Sequence, residues 1–433
     1  MTASGRRRVA DAIRKIPPAP LAPPDTFDPR EIAAMLREIG IALVEVAQPT
    51  PIVESRLEQI ARRYTTQAVR VVALPTMVMI QIGDEGYQIE GSTRSSLQLD
   101  AAGRIDAIAS LANAGAISPK AAVAAVMKAR TLRPRFGRPV TIVGYAVTTV
   151  GFGMLINPTW AALPASLFLG LIVGTIVTMS QSFPSLTPVL PTIAALAATV
   201  MAIVFVDATA HDGLLRVISP ALVATLPGMS LTIGAMELAS SQVVSGSSRL
   251  MYGMSQLALL LFGVVIGLQI AGGAPFPQAP SPQLGPWSLY LAIVVVSVGL
   301  FFYLSAPPGS LLWLMAAIGV VLLAQSAAQD FTSPSRSGFV GALVAVPFAM
   351  LASRIRTSPP AIVMMLVSFW SLVPGALSFQ ALGDLASDGP DTTSLATTGA
   401  AILSIALGTL VGWSVFYTID SRLPWSQSFA ERP

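Results

Sequence analysis

The sequence predicts a polytopic α-helical membrane protein: ten transmembrane helices as a 5+5 inverted repeat with two Pro-Gly-broken helices, preceded by a small α+β cytoplasmic domain. Three observations carry this expectation. The first is composition: 53% of the 433 residues are hydrophobic and only 11% are charged, against about 25% charged in an ordinary soluble domain. The second is where the charge lies. Of 48 Lys, Arg, Asp and Glu residues, 32 fall in residues 1–139 and 16 in the remaining 294, so the chain divides near Arg138 into a polar and a membrane part. The third is an internal echo. Leu226-Pro227-Gly228-Met229-Ser230-Leu231 returns 147 residues later as Val373-Pro374-Gly375-Ala376-Leu377-Ser378.

In chain order, residues 1–29 read as a disordered tail, because Arg6-Arg7-Arg8, Pro17-Pro18-Ala19-Pro20 and Pro23-Pro24 build no packed element. A proline-rich polar segment follows the arginines where a signal peptide would carry its apolar core. Residues 30–138 read as the cytoplasmic domain. Asp28-Pro29 has the form of an N-cap with proline in the first turn, and Ile32, Met35, Leu36 and Ile39 recur at helical spacing. A second helix follows Pro51. Two β-branched runs, Val69–Leu74 and Met77–Ile82, flank Pro75-Thr76, and Gly83-Asp84-Glu85-Gly86 turns the chain. Ser118-Pro119 caps a last helix running to about Arg130.

From Val140 onward ten apolar runs follow: 140–157, 160–180, 187–206, 215–239, 249–270, 288–306, 309–327, 338–353, 361–384 and 395–417. Most approach the ~20 residues that cross about 30 Å of hydrocarbon, and the eighth is short. The first membrane repeat is therefore 139–286, the second 287–417, and 418–433 a cytoplasmic tail. Arg130, Arg133, Arg135 and Arg138 precede the first run, and Arg354 with Arg356 separates the eighth from the ninth. Asp207, Asp212, Asp384, Asp388 and Asp391 fall on the other side, with Arg216 and Arg336 as its basic residues. The positive-inside rule then puts both termini in the cytoplasm of a bacterial inner-membrane protein.

The offset of 147 also maps Thr141 to Ser288, Leu163 to Ser310 and Glu237 to Asp384. Five runs per copy is an odd number, so the second copy enters the membrane from the opposite side, an architecture that recurs in secondary transporters with the site where two interrupted helices face each other. The backbone supplies the chemistry. Pro227 and Pro374 have no N–H to give, and Gly228 and Gly375 let the chain leave helical geometry. Unpaired backbone groups are tolerated at this depth only beside protein or a polar cavity. A half-helix beginning there points free N–H groups at a carboxylate, and released carbonyls accept from an ammonium. Substrate-binding candidates are Pro227, Gly228, Ser230, Thr232, Pro374, Gly375 and Ser378. The alternative is that Pro-Gly merely kinks a packed helix.

Glu237 and Asp384 come ten residues after their prolines, about 15 Å along a helix, so they are expected at opposite membrane faces. There they are either solvated or gating and proton-coupling candidates. Arg249 either pairs with Glu237 or obeys the positive-inside rule. His211, the single histidine, reads as a solvated loop residue. Gly170/Gly174, Gly263/Gly267 and Gly408/Gly412 read as close helix contacts.

Cysteine is absent, which excludes disulfides, zinc–thiolate sites and thiol nucleophiles. Without a phosphate-binding loop or a Gly-x-Ser-x-Gly elbow, the sequence supports no enzyme, cofactor or metal site. The basic excess lies before the first apolar run, where anionic lipid and topology account for it and nucleic acid is not implied.

Leu226–Thr232, Glu237-Leu238 and Val244-Ser245-Gly246-Ser247-Ser248-Arg249-Leu250 resemble the central motif of the bacterial threonine/serine exporters. So do Val53–Ala61, Leu74-Pro75-Thr76 and Ala116–Ala121 in the polar part. Many relatives carry an amide and an acid where this chain has Ile233 and Gln242. The resemblance implies export of threonine, serine or a similar small molecule through the lipid bilayer, with protons as the coupling ion. Export of a small dicarboxylate is the alternative within this class. A membrane-tethered sensor or enzyme acting through the N-terminal domain is the alternative outside it. A homo-oligomer stays open.

Overall fold

The computed structural model describes residues 15, 18–92, 98–206, 212–273, 281–372, 375–376, 378–381 and 392–422. The N-terminal unit is built as α1 (Pro29–Glu45), α2 (Thr50–Tyr64), β1 (Val69–Leu74), β2 (Met77–Ile82), β3 (Gln88–Gly91), α3 (Leu99–Asn113) and α4 (Pro119–Arg130). Asp28 caps α1 by accepting from the N–H of Arg30, and Ser118 caps α4 by accepting from that of Ala121. The three strands form one antiparallel sheet in sequence order. Alternation along β2 turns Val78, Ile80 and Ile82 into the core, where they meet Ile32, Leu36 and Leu57 of the helices. Beyond the expected elements the structure adds β3 and α3. It also packs residues 18–28, read as part of the tail, onto this unit. Leu21 donates its N–H to the carbonyl of Gly115, and the Asp25 carboxylate accepts from Thr65 Oγ1 and the Thr66 N–H.

The remainder is helical: α5 (Arg138–Ile156), α6 (Ala162–Ser180), α7 (Leu190–Phe205), α8 (Leu214–Ile218), α9 (Gly228–Ala239), α10 (Val243–Ala271), α11 (Trp287–Tyr303), α12 (Leu311–Gln329), α13 (Pro334–Ala352), α14 (Ala361–Ser371) and α15 (Thr392–Arg422). Among the described residues six helices are long and apolar enough to cross a membrane, and Trp287–Tyr303, Arg336–Ala352 and Ala361–Ser371 are shorter apolar ones. The eighth run is longer than its sequence suggested, since Pro334 opens the helix four residues early.

Small residues set the packing. α5 and α11 lie side by side and antiparallel, with Gly144 against Phe302 and Tyr303, and Gly151 against Val296. Two further close approaches come in a matched pair. Gly263 and Gly267 of α10 face the carbonyls of Thr192 and Leu196 on α7, while Gly408 and Gly412 of α15 face those of Phe339 and Leu343 on α13. Thr192 and Phe339 stand 147 residues apart, as do Leu196 and Leu343. A β-carbon would collide with backbone at Gly263, Gly408 and Gly412, and with the Thr199 side chain at Gly267. The Gly-x-x-x-Gly pairs are therefore helix contacts, as their sequence suggested.

The N-terminal unit sits on one end of this bundle. The N–H groups of Leu99 and Asp100 donate to the carbonyls of Leu304 and Ser305, and Lys15 Nζ donates to that of Ser358. The far end is tied separately. Thr159 and Gln283 form a β-bridge, Trp160 packs on Trp287 at 5.8 Å, and Asp212 joins the same knot.

Candidate functional site

The fourth apolar run is not one kinked helix. α8 stops at Ile218, residues 219–226 form successive turns, and α9 starts afresh at Gly228. Two prolines, Pro220 and Pro227, bracket the break, so the interruption is wider than a single Pro-Gly pair requires. Its carbonyls find local donors: Tyr145 Oη, on a fully buried ring of α5, donates to Ala221 O at 2.6 Å, and Thr225 Oγ1 donates to Leu222 O at 2.7 Å. No side chain caps α9. Leu231 gives its N–H to the carbonyl of Pro227. Among the described residues the N–H groups of Gly228, Met229 and Ser230 have no such acceptor, as expected of a helix start.

The second break comes to meet the first. α14 ends at Ser371, Gly375 and Ala376 are helical, and so are residues 378–381. A β-carbon at Gly375 would lie 2.9 Å from Leu226 Cβ, 3.0 Å from Gly228 N and 3.2 Å from Gly228 Cα. The two glycines that the repeat equates thus touch backbone to backbone. Gln380 Nε2 reaches across to Ser219 Oγ at 3.2 Å. Around the contact lies a cavity of 30 Å³ lined by Val223, Leu226, Gly228, Met229, Phe369, Trp370, Gly375 and Ala376. That is space for about two water molecules. Trp370 Nε1 points at Met229 Sδ, 2.9 Å away. Thioether sulfur is a weak acceptor, so this indole N–H is readily surrendered to a better partner.

Of the seven residues the sequence nominated, Gly228 and Gly375 line the cavity, and Pro227 is the N-cap residue of α9. Ser230 and Thr232 lie further along α9 and are not among the lining residues. Thr232 is buried, and its hydroxyl has no partner among the described residues. Ser378 is buried one turn beyond Gly375. Pro374, Asp384 and His211 lie outside the described residues. The sequence reading did not name Phe369, and Val223 and Trp370, 147 residues apart and each four residues before its proline, entered it only through the carbonyls that the prolines leave without an N–H.

At the other end of α9 the Glu237 side chain is fully buried, so it is not solvated as one of its two sequence readings had it. Arg249 Nε donates to both carboxylate oxygens at 3.1 and 3.2 Å, while the Thr50 N–H and Thr50 Oγ1 donate to Oε1 at 2.9 and 3.1 Å. Arg249 stands inside α10, which begins at Val243 rather than after the serine run. Gly246 makes this possible, because a β-carbon there would meet Leu238 N at 2.7 Å. Glu54 of α2 extends the seam, accepting from Gln242 Nε2 at 2.8 Å and from the Ala73 N–H at 2.9 Å. Burial pushes the Glu54 carboxyl above the usual carboxylate range, and the neighbouring charges of Glu58 and Glu237 add to this.

The knot on the far end has its own carboxylate. Asp212 accepts from Thr159 Oγ1 at 2.7 Å, Asn157 Nδ2 at 3.0 Å and the Ser281 N–H at 3.2 Å. Burial raises its pKa, but these hydrogen bonds together outweigh it and hold the group below its ordinary value. A depressed folded-state pKa contributes stability that is fully present above the unfolded value near 3.9 and is lost as pH falls from there through the folded value. Thermal unfolding in detergent should therefore show the midpoint dropping on acidification below about pH 4, with a smaller drop in Asp212→Asn.

A family model described as "Putative threonine/serine exporter" matches residues 34–271. The match runs from α1 through α10, more than half of the chain, and includes the first break and the Glu237–Arg249 pair. Searches of curated proteins and of solved structures each returned no match. On its N-terminal unit, its first five apolar runs and the motif around Gly228, the chain belongs to the threonine/serine exporter family.

Proposed function

We propose that the protein is a secondary exporter carrying threonine, serine or a similar small neutral amino acid outward across the bacterial cytoplasmic membrane against an inward flow of protons. The observation that carries this reading is the apposition of Gly228 and Gly375 at a cavity lined by no charged side chain. The free N–H groups opening α9 suit an α-carboxylate, and carbonyls of the 219–227 break suit an ammonium. The Trp370 indole N–H, exchanging sulfur for oxygen, suits the cargo hydroxyl. A dicarboxylate would leave its second charge without a counter-ion here, which disfavours it.

The reading takes the ten runs as ten crossings in two inverted copies. Supporting it are the antiparallel α5–α11 pair and the matched α7–α10 and α13–α15 contacts. It takes the N-terminal unit, residues 30–138, as cytoplasmic. The contacts of that unit at Glu237, Leu304–Ser305 and Ser358 all fall at turns this topology assigns to one side. With a cavity this small, cargo enters only after α9 parts from residues 375–376 and 378–381. Glu237 is then the candidate proton carrier, its pairing with Arg249 made and broken during the cycle.

Proteoliposomes loaded with labelled threonine, serine or succinate test the reading. Efflux of threonine or serine should rise several-fold when an inward proton gradient is imposed, while succinate stays at the rate of empty liposomes. Gradient-driven succinate efflux alone would transfer the assignment to dicarboxylates, and no gradient-driven flux of any of the three would end it.

A further inference from the structure

Besides its contacts at Leu304–Ser305 and Ser358, the N-terminal unit touches the bundle at two places that share one property. Through α2 it holds the end of α9: the Thr50 N–H and hydroxyl bind Glu237, and Glu54 binds Gln242 just beyond. Through α3 it holds the start of α14: a β-carbon at Gly103 would lie 3.2 Å from Val363 Cγ2 and 3.6 Å from Pro360 Cδ. α9 and α14 are the half-helices flanking the cavity, so a single folded unit grips one interrupted helix of each repeat at the same end. Its helices and sheet are packed together through buried residues such as Ile32, Leu57, Ile80 and Ile105, in a cluster that continues into Leu304 and Val363 of the bundle, so it bears on the two half-helices as one piece. Helices whose ends are bridged in this way cannot separate without either breaking the Thr50–Glu237 contact or lifting α3 off Pro360.

We propose that the N-terminal domain is the inner gate of the exporter, clamping the cytoplasmic ends of α9 and α14 together and admitting cargo when the clamp releases. This rests on the export reading, and it gives the domain a role in that cycle. Glu237 is the domain's handle on α9. Its carboxylate is shared between Arg249 inside the bundle and Thr50 outside it, so loss of the outer partner leaves the charge still paired. Release therefore strands no buried charge, which suits a contact that opens repeatedly. The charged and titratable groups facing Glu237 in this seam are Arg249 and, through its charge, Glu54.

The chain has no cysteine, so bridging pairs are easily introduced. Gly103→Cys/Pro360→Cys together with Glu54→Cys/Gln242→Cys, each pair joined through a reducible bridge, locks both grips of the clamp in the full-length protein. A copy that also carries Val223→Cys reports access to the cavity, through its reaction with a membrane-impermeant maleimide applied to the cytoplasmic face of inside-out vesicles. Bridging should slow both amino-acid flux and Val223→Cys labelling by more than about tenfold, the scale of a typical two-state coupling, and reduction should restore both. In the opposite direction, Thr50→Val/Gln242→Ala loosens the seam without touching the cavity and should speed labelling several-fold. Labelling that ignores the bridges, labelling absent even after reduction, or an unchanged rate in the loosened variant would each overturn the gate. Labelling switched by the bridges in a protein that moves none of the amino acids would leave the gate standing and remove the export reading instead.

Discussion

Gly375→Leu should abolish amino-acid flux, and Gly375→Ala should reduce it at least tenfold, in protein that still purifies as a folded species. The reason is distance. A single added carbon at this position falls 2.9 Å from Leu226 Cβ and 3.0 Å from Gly228 N, and two of its three nearest neighbours are backbone atoms that no rotamer change can move. Overpacking of this kind costs roughly 1–3 kcal/mol of stability. Its larger effect is on geometry, because it pushes apart the two glycines on which the site is centred. Gly399→Ala is the control, since a β-carbon there has nothing within 4 Å, and its flux should match the parent. Proteoliposome flux and thermal unfolding on the same preparations separate the two effects. Normal transport by Gly375→Leu would mean that the breaks are only kinks.

The second large effect is at Glu237. Glu237→Ala should cost about 3–5 kcal/mol, the usual penalty for stranding one member of a buried ion pair. Here the penalty falls on Arg249 and on the Thr50 N–H together. Replacing the pair with apolar residues, Glu237→Leu/Arg249→Met, should recover most of that loss, because neither charge is then left buried. Denaturant or thermal unfolding of the three proteins in one detergent checks this. A Glu237→Ala variant as stable as the parent would show that the carboxylate is not held as the structure places it.

Local pattern made much of this protein legible. The bounds of β1 and β2 follow from two β-branched runs and a Pro-Thr turn, and the start of α4 from Ser118-Pro119. The pairing of Gly228 with Gly375 follows from counting 147 residues. What escaped depended on partners distant in sequence. Ser245-Gly246-Ser247-Ser248 has the composition of a loop, yet it lies within the first two turns of α10, because Gly246 lets α9 approach within van der Waals distance. Glu237 sits at the expected height along its helix, but counting along a helix cannot tell that another domain closes over its end. α3 was missed because its start hydrogen-bonds to Leu304 and Ser305, some 200 residues away. Gln88–Gly91 is a four-residue strand whose one large apolar side chain, Ile89, faces outward, so no apolar face betrays it and its pairing with β2 defines it.

The size of the cavity between the breaks bears on bioenergetics. Protons cross membranes along unbroken files of hydrogen-bonded water, and a file spanning about 30 Å of hydrocarbon at about 2.8 Å per link needs on the order of ten molecules. A space of 30 Å³ accommodates about two. In this conformation the space at the paired breaks therefore holds only a small part of such a file.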